Sequence, residues 1–229
     1  MKNIAIIPAR GGSKRIPRKN IKLFFGKPII AWSIQEAIKS SLFDRIIVST
    51  DDSEIAKISE KLGAEIPFIR PPSIADDNSS TAEVIIHAIN WLTNNSFEIE
   101  NICCIYPTAP FLESNDLKLG FEKLNGNNID FSFSATSFEY PIQRAFKLNI
   151  NGTVQMFDES AYEKKSQDLV EAFHDAGQFY WGKKDAWLEN RPIFNNRSLP
   201  VLIPKYRAQD IDTPNDWLRA EKLFSLLKS

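Results

Sequence analysis

The strongest constraint on this chain is an alternation in its first half between short apolar runs and longer amphipathic stretches. Strand-like runs occupy residues 4–9, 45–50, 64–69, 101–106 and 130–135, and helical spacing occupies 28–39, 52–62, 81–92 and 115–124. Apolar runs of strand length separated by amphipathic helices build βα units, whose strands lie side by side in a mostly parallel sheet with helices on its faces. The expected fold class is therefore α/β, a three-layer Rossmann-like arrangement. Near the end, residues 199–203 read as a strand and 215–227 as a closing helix, capped by Thr213 or Asp212.

The pattern breaks between about residues 137 and 172. This stretch has poor periodicity, contains Tyr140-Pro141 and Gly152, and carries the charged run Glu163-Lys164-Lys165. It is too long for a casual loop in a compact domain, so it reads as an insertion projecting from the sheet. Its scattered aromatics suggest packing against a second subunit. The expectation is one domain over residues 1–229 that carries this insertion and assembles as a homodimer.

Composition excludes several classes. Lys plus Arg number 28 against 29 Asp plus Glu, so no net field draws in a nucleic acid. No apolar run reaches the roughly 18 residues of a membrane span, and Met-Lys-Asn leads into a strand rather than a signal segment. A cytoplasmic protein is expected. Cys103 and Cys104 are adjacent in an apolar run, where a disulfide between neighbours is strained, and they read as reduced core residues. Trp32, Trp91, Trp181, Trp187 and Trp217 are assigned to packing.

Chemistry concentrates in Pro8-Ala9-Arg10-Gly11-Gly12-Ser13-Lys14-Arg15-Ile16-Pro17-Arg18-Lys19-Asn20, directly after the first strand. Carboxyl ends of strands face the ligand crevice in open α/β sheets. Gly11 and Gly12 let the backbone approach a ligand, while Arg10, Lys14, Arg15, Arg18, Lys19 and Lys22 crowd positive charge that a polyphosphate would neutralise. Neither the Walker pattern nor the dinucleotide fingerprint is present. Phosphate binding without ATPase or dehydrogenase chemistry follows. At the far end, Gln209-Asp210-Ile211-Asp212-Thr213-Pro214 places two carboxylates on one side of an extended segment. Such a pair suits Mg²⁺, which takes one or two carboxylates together with phosphate oxygens and water.

These segments carry a resemblance. Residues 7–14, Lys19-Asn20 and Gly26-Lys27-Pro28 resemble the opening signature of the acylneuraminate cytidylyltransferases, the CMP-sialate synthetase family. The likeness continues through Ile47-Val48-Ser49-Thr50-Asp51, Arg70-Pro71, Tyr106-Pro107-Thr108-Ala109-Pro110 and Asp210-Ile211-Asp212-Thr213. Within the family, residues 15–20, Tyr140-Pro141-Ile142-Gln143-Arg144-Ala145 and residues 174–181 look like the pseudaminate branch. Lys165 stands where that branch is expected to carry arginine, and Tyr106 replaces the glutamine usual in sialate enzymes.

The resemblance implies a nucleotidyltransferase fold and transfer of CMP from CTP to the anomeric hydroxyl of pseudaminic acid, with Mg²⁺ and release of pyrophosphate. It implies that Arg10, Gly11, Gly12, Ser13, Lys14, Lys19 and Asn20 hold the triphosphate and ribose, with Lys19 steadying the α-phosphate. Arg70 and Thr81 match positions that read cytosine, although Thr81 also suits a helix N-cap. Asp210 and Asp212 match the magnesium pair, and Tyr106, Thr108, Gln143, Arg144, His174 and Gln178 the acidic-sugar pocket. Lys19, Arg10 and Asp212 are the expected catalytic set; His174 is not expected to act as a general base. The alternatives are the same reaction on legionaminate, N-acetylneuraminate or manno-octulosonate, and a nucleotide-binding module without catalysis.

Overall fold

A computed structural model describes residues 2–228. Strand β1 (Asn3–Pro8) leads into a basic loop and a small antiparallel ribbon, β2 (Leu23–Phe24) with β3 (Lys27–Pro28). Then come α1 (Ile30–Ser40), β4 (Arg45–Ser49), α2 (Ser53–Lys61), α3 (Thr81–Asn94), β5 (Asn101–Ile105), α4 (Ser114–Leu124) and β6 (Phe131–Ser137). A hairpin of β7 (Phe146–Leu148) and β8 (Val154–Met156) precedes β9 (Phe173–Lys183), α5 (Lys184–Leu188), β10 (Ser198–Leu202) and α6 (Pro214–Lys228).

Six strands form the central sheet in the order β10-β6-β9-β5-β1-β4. Pairing is parallel except at β9, which runs antiparallel to both neighbours, β5 and β6. Both faces are covered, which is why the inner strands read as unbroken apolar runs. Ala5, Ile7, Cys103 and Ile105 point to the face packed by Ile30 and Ile34 of α1 and Leu117 of α4. Ile4, Ile6, Ile102 and Cys104 point to the other, against Ile85 and Ile89 of α3. The two adjacent cysteines are thus free, fully buried and on opposite faces.

A third cluster decides where the chemistry sits. Ile16 of the basic loop and Ile211 between the two aspartates are both buried in one apolar group with Phe24, Trp217 and Phe224. Burying Ile211 while its neighbours stay polar turns Asp210 and Asp212 away from this cluster, and burying Ile16 brings the basic loop beside them.

Three local readings need correction or completion. Residues 64–69 are not a strand: pairing shrinks to one bridge between Ile47 and Glu65, because Pro67 has no donor with which to extend a ladder. Strand β9, the longest in the sheet, carries no period-2 signal, since it begins polar at His174 and Asp175 and becomes buried on both faces after Gly177. Of the two candidate caps for α6, Thr213 does the capping: its Oγ1 accepts from the Asp216 amide at 3.2 Å, and the Asp216 carboxylate accepts from the Thr213 amide at 2.9 Å.

Between β6 and β9 the chain leaves the sheet. Its β7–β8 hairpin and flanking turns expose Tyr140, Phe146, Leu148, Ile150, Val154 and Phe157, among other apolar side chains. Among the described residues, no helix is long and apolar enough to cross a membrane.

Candidate active site

A cleft of about 580 Å³ opens where β1 and β5 end, bounded by Pro8 on one strand and by Tyr106, Pro107 and Thr108 after the other. The basic loop forms one wall, the start of α3 with Arg70 forms the other, and Asp212 stands at the rim.

The loop is shaped by Asp51 and Asp52. The Gly11 amide donates to Asp51 Oδ1 at 2.9 Å, and a Cβ at Gly11 would stand 2.7 Å from Asp52 Oδ2. Gly11 is therefore glycine because the chain passes so close to that carboxylate. Gly12 differs: a Cβ there would meet nothing within 4 Å, so open space lies beside its backbone. Asn20, 5% exposed, closes the loop by donating from Nδ2 to the Arg10 carbonyl at 2.9 Å.

The six cations of this segment divide by task. Arg10, Lys14, Arg15 and Lys19 line the cleft. Arg18, in the left-handed region at φ 54°, turns away to pair with Asp52 and Glu54, and Lys22 lies over the Trp217 ring. The hydrogen bond from Arg18 holds the Asp52 carboxyl down at about 2. Asp52 also caps α2, accepting from the amides of Glu54 and Ile55, each at 2.9 Å.

Basic loop and acidic segment meet at Asp212. Lys19 Nζ lies 3.1 Å from Asp212 Oδ1 and donates to the Ile211 carbonyl at 2.8 Å; Arg15 Nη2 lies 2.7 Å from Oδ2. Burial alone would raise the Asp212 carboxyl, but these two cations outweigh it and hold the group below the ordinary carboxylate value. Asp210 goes the other way: desolvation and then the charge of Asp212 push it up. Like charges placed so that one resists ionisation are what a hard cation relieves. Among the described residues, no group of three or more His, Cys, Asp or Glu side chains gathers at a metal position. The two oxygen-donor carboxylates therefore fit Mg²⁺ only with further oxygens from a bound phosphate and water.

Opposite the loop, Arg70 is 4% exposed, donates from Nε to Ser49 Oγ at 3.1 Å and contacts the Ser49 carbonyl through Nη2. Burial pulls its guanidinium down to about 10, which leaves it charged at neutral pH. The N-cap of α3 is Ser80, through a capping box with Glu83. That frees the Thr81 hydroxyl, which lies 3.3 Å from the Tyr106 hydroxyl. Burial raises the Tyr106 phenol above its ordinary value, so it remains a neutral donor and acceptor.

The remaining sequence-derived positions line no part of this cleft. Gln143 donates to the Val170 carbonyl at 2.8 Å and Arg144 to the Lys164 carbonyl at 2.7 Å, both bracing the projecting segment. The His174 ring packs edge-on to Phe138, and Gln178, 2% exposed on β9, donates to the Arg207 carbonyl at 2.7 Å. Sequence reasoning missed three residues of the cleft and one buried beside the acidic segment. Asp77, Ser79 and Ser80 line the cleft, yet they come from a short polar stretch that reads as a turn. Arg207, just before the acidic segment, forms a bidentate pair with buried Asp116 at 2.7 and 3.1 Å, a partner 91 residues away that no local pattern could supply.

A loop rich in cations facing a carboxylate pair suits a nucleotide phosphate. The family model described as Cytidylyltransferase matches residues 4–223. The chain belongs to the cytidylyltransferase family. This cytidylyltransferase is 49% identical over 226 residues to the pseudaminic acid cytidylyltransferase of Campylobacter jejuni, covering 99% of this chain and 97% of that one. It is 30% identical over 230 residues to the CMP-N,N'-diacetyllegionaminic acid synthase of Legionella pneumophila, covering 99% and 97%. The fold matches that of the CMP:2-keto-3-deoxy-manno-octonic acid synthetase solved with CTP, at a TM-score of 0.71 and 16% identity over 99% of this chain and all of that one.

Proposed function

We propose that this cytidylyltransferase joins CMP from CTP to the anomeric hydroxyl of pseudaminic acid, with Mg²⁺, in the cytoplasm and as a homodimer. The observation that carries the sugar is the 49% identity, along nearly the whole of both chains, to a pseudaminic acid cytidylyltransferase. In this reading Arg10, Lys14 and the backbone of Gly11, Gly12 and Ser13 hold the triphosphate, and Lys19 faces the α-phosphate. Asn20 contacts the ribose, while Arg70 and Thr81 read the cytosine ring. The anomeric oxygen attacks the α-phosphorus in line, the bond to the β-phosphate oxygen breaks, and the hydroxyl proton leaves to solvent. Lys19 and Arg10 oppose the charge that grows on the phosphate oxygens, and this electrostatic positioning supplies most of the acceleration in such transfers. Asp210 and Asp212 would hold Mg²⁺, which when bound adds charge neutralisation and lowers the pKa of the attacking hydroxyl.

Tyr106 and Thr108, which line the cleft, begin the sugar pocket in this reading; Gln143, Arg144, His174 and Gln178 lie outside the cleft and enter the reading only as the resemblance implies. The exposed apolar side chains of the projecting segment, Phe146 and Leu148 among them, support pairing with a second copy. Pyrophosphate release from CTP and Mg²⁺, assayed with pseudaminate, legionaminate, N-acetylneuraminate and manno-octulosonate, tests the proposal. Release with pseudaminate alone is expected. Release only with another acid would overturn the sugar, and silence with all four would overturn the chemistry.

A further inference from the structure

One carboxylate in the cleft has no part in that reaction as described. Asp77 lies in the segment that joins Arg70 to α3, and its Oδ1 is 2.7 Å from Arg10 Nη2 while its Oδ2 contacts Lys14 Nζ. These are the two cations assigned above to the triphosphate. The segment that carries Asp77 is fixed at both ends. The Arg70 amide donates to the Thr50 carbonyl at 2.7 Å, and Ser80 is locked by the capping box. Between them Asp76 accepts from the Asn78 and Ser79 amides at 3.0 and 2.9 Å, so the turn presents Asp77 to the opposite wall. The bond from Lys14, and then that from Arg10, hold the Asp77 carboxyl below its ordinary value, so it is ionised at neutral pH.

We infer that Asp77 is a further residue of the reaction cycle, an internal anion that occupies the triphosphate seat on Arg10 and Lys14, yields it to CTP, and reoccupies it as pyrophosphate leaves. The inference rests on the nucleotide reading of the cleft. The physical reason is competition for the same donors. A single carboxylate engages an exposed lysine and a two-thirds-buried arginine weakly enough to be displaced by an ion of several negative charges. It remains tethered nearby and contends with pyrophosphate at high effective concentration. Asp77 therefore lowers the affinity for CTP and pyrophosphate alike and hastens product release.

The test is calorimetric titration of inorganic pyrophosphate, and separately of CTP without sugar, into wild-type protein, Asp77→Asn and Asp77→Glu with Mg²⁺ present. Asp77→Asn is expected to bind both ligands roughly threefold to tenfold more tightly, since two partly exposed ion pairs are lost as competitors. Asp77→Glu, which keeps the charge, should lie nearer wild type, and pyrophosphate should become a stronger product inhibitor of Asp77→Asn. Equal or weaker binding by Asp77→Asn, with wild type binding normally, would overturn the inference alone; weaker binding would instead make Asp77 a ligand of the phosphate-bound cation. Wild type that binds neither ligand would overturn the reading of the cleft and this inference with it.

Discussion

Lys19 and Asp212 meet across the rim of the cleft, ammonium to carboxylate at 3.1 Å, although 193 positions separate them in the chain. Because Lys19 also donates to the Ile211 carbonyl, the basic loop and the acidic segment are fixed to each other by two contacts of one side chain. The pair is partly exposed, with side chains 20% and 35% accessible, and such pairs contribute about 1 kcal/mol or less to stability. In the proposed reaction its importance lies in chemistry. Lys19→Met and Asp212→Asn should each lower kcat by about 100-fold while the melting temperature stays within about 3 °C of wild type. Steady-state pyrophosphate release beside a thermal melt checks both numbers, and near-normal turnover in either variant would remove that residue from the mechanism.

The paired glycines should respond oppositely to one added methyl. Gly11→Ala drives a Cβ to within 2.7 Å of Asp52 Oδ2, and relieving that overlap should cost about 1–3 kcal/mol. Gly12→Ala meets nothing within 4 Å and should melt with wild type, yet weaken CTP binding several-fold if phosphate lies against that backbone. Chemical denaturation and CTP titration of both variants separate the effects.

Acid should erase one stabilising contact. The hydrogen bond from Arg18 holds Asp52 at about 2, against an ordinary value of 3.8. A depressed carboxyl contributes stability that is present above the ordinary value and lost as pH falls through the folded one. Asp52→Asn should therefore be less stable than wild type at pH 7, with the difference shrinking between about pH 4 and pH 2. Melting curves across that range check the sign; a gap that widens on acidification would refute the assignment.

Arg207 and Asp116 form a buried, bidentate pair. Arg207 also pairs with the more exposed Glu113 at 3.0 Å, so Asp116→Asn removes the buried anion but not every partner and should cost about 2 kcal/mol, or roughly 4–8 °C in melting temperature for a chain of this size. Replacing both residues by apolar ones, Asp116→Leu with Arg207→Met, should recover most of that loss. A melt of the single and double variants decides it.

The projecting hairpin predicts assembly. Phe146 and Leu148 are 57% and 72% exposed on β7, which is unfavourable for a free surface. Light scattering should report a dimer for wild type and a monomer for Phe146→Asp combined with Leu148→Asp. A wild-type monomer at working concentration would remove the homodimer from the proposal.

Much of this molecule was legible before folding. Continuous apolar runs at β1 and β5 can be stable only between two helical layers, so they announced the covered parallel sheet. Paired glycines among cations, and two aspartates flanking one isoleucine, pointed to the phosphate and metal roles proposed above, because few other demands select those residues together. The bridge that replaced a strand at residues 64–69 was readable in principle, from Pro67. Strand β9 was not, because a strand buried on both faces after a polar, glycine-bearing start has no period to detect.

The class of the fold, the basic loop, the acidic pair and the resemblance that relates them were all readable along the chain, since each is a local pattern with a local physical cause. Folding settled which of the six cations face the cleft, that Thr213 rather than Asp212 caps α6, and that Asp77 lies on Arg10 and Lys14. The first of these follows from burying Ile16 and Ile211 in one cluster, which sets the basic loop beside the acidic segment. Apolar burial acts between residues nearly two hundred positions apart, where no sequence period reaches.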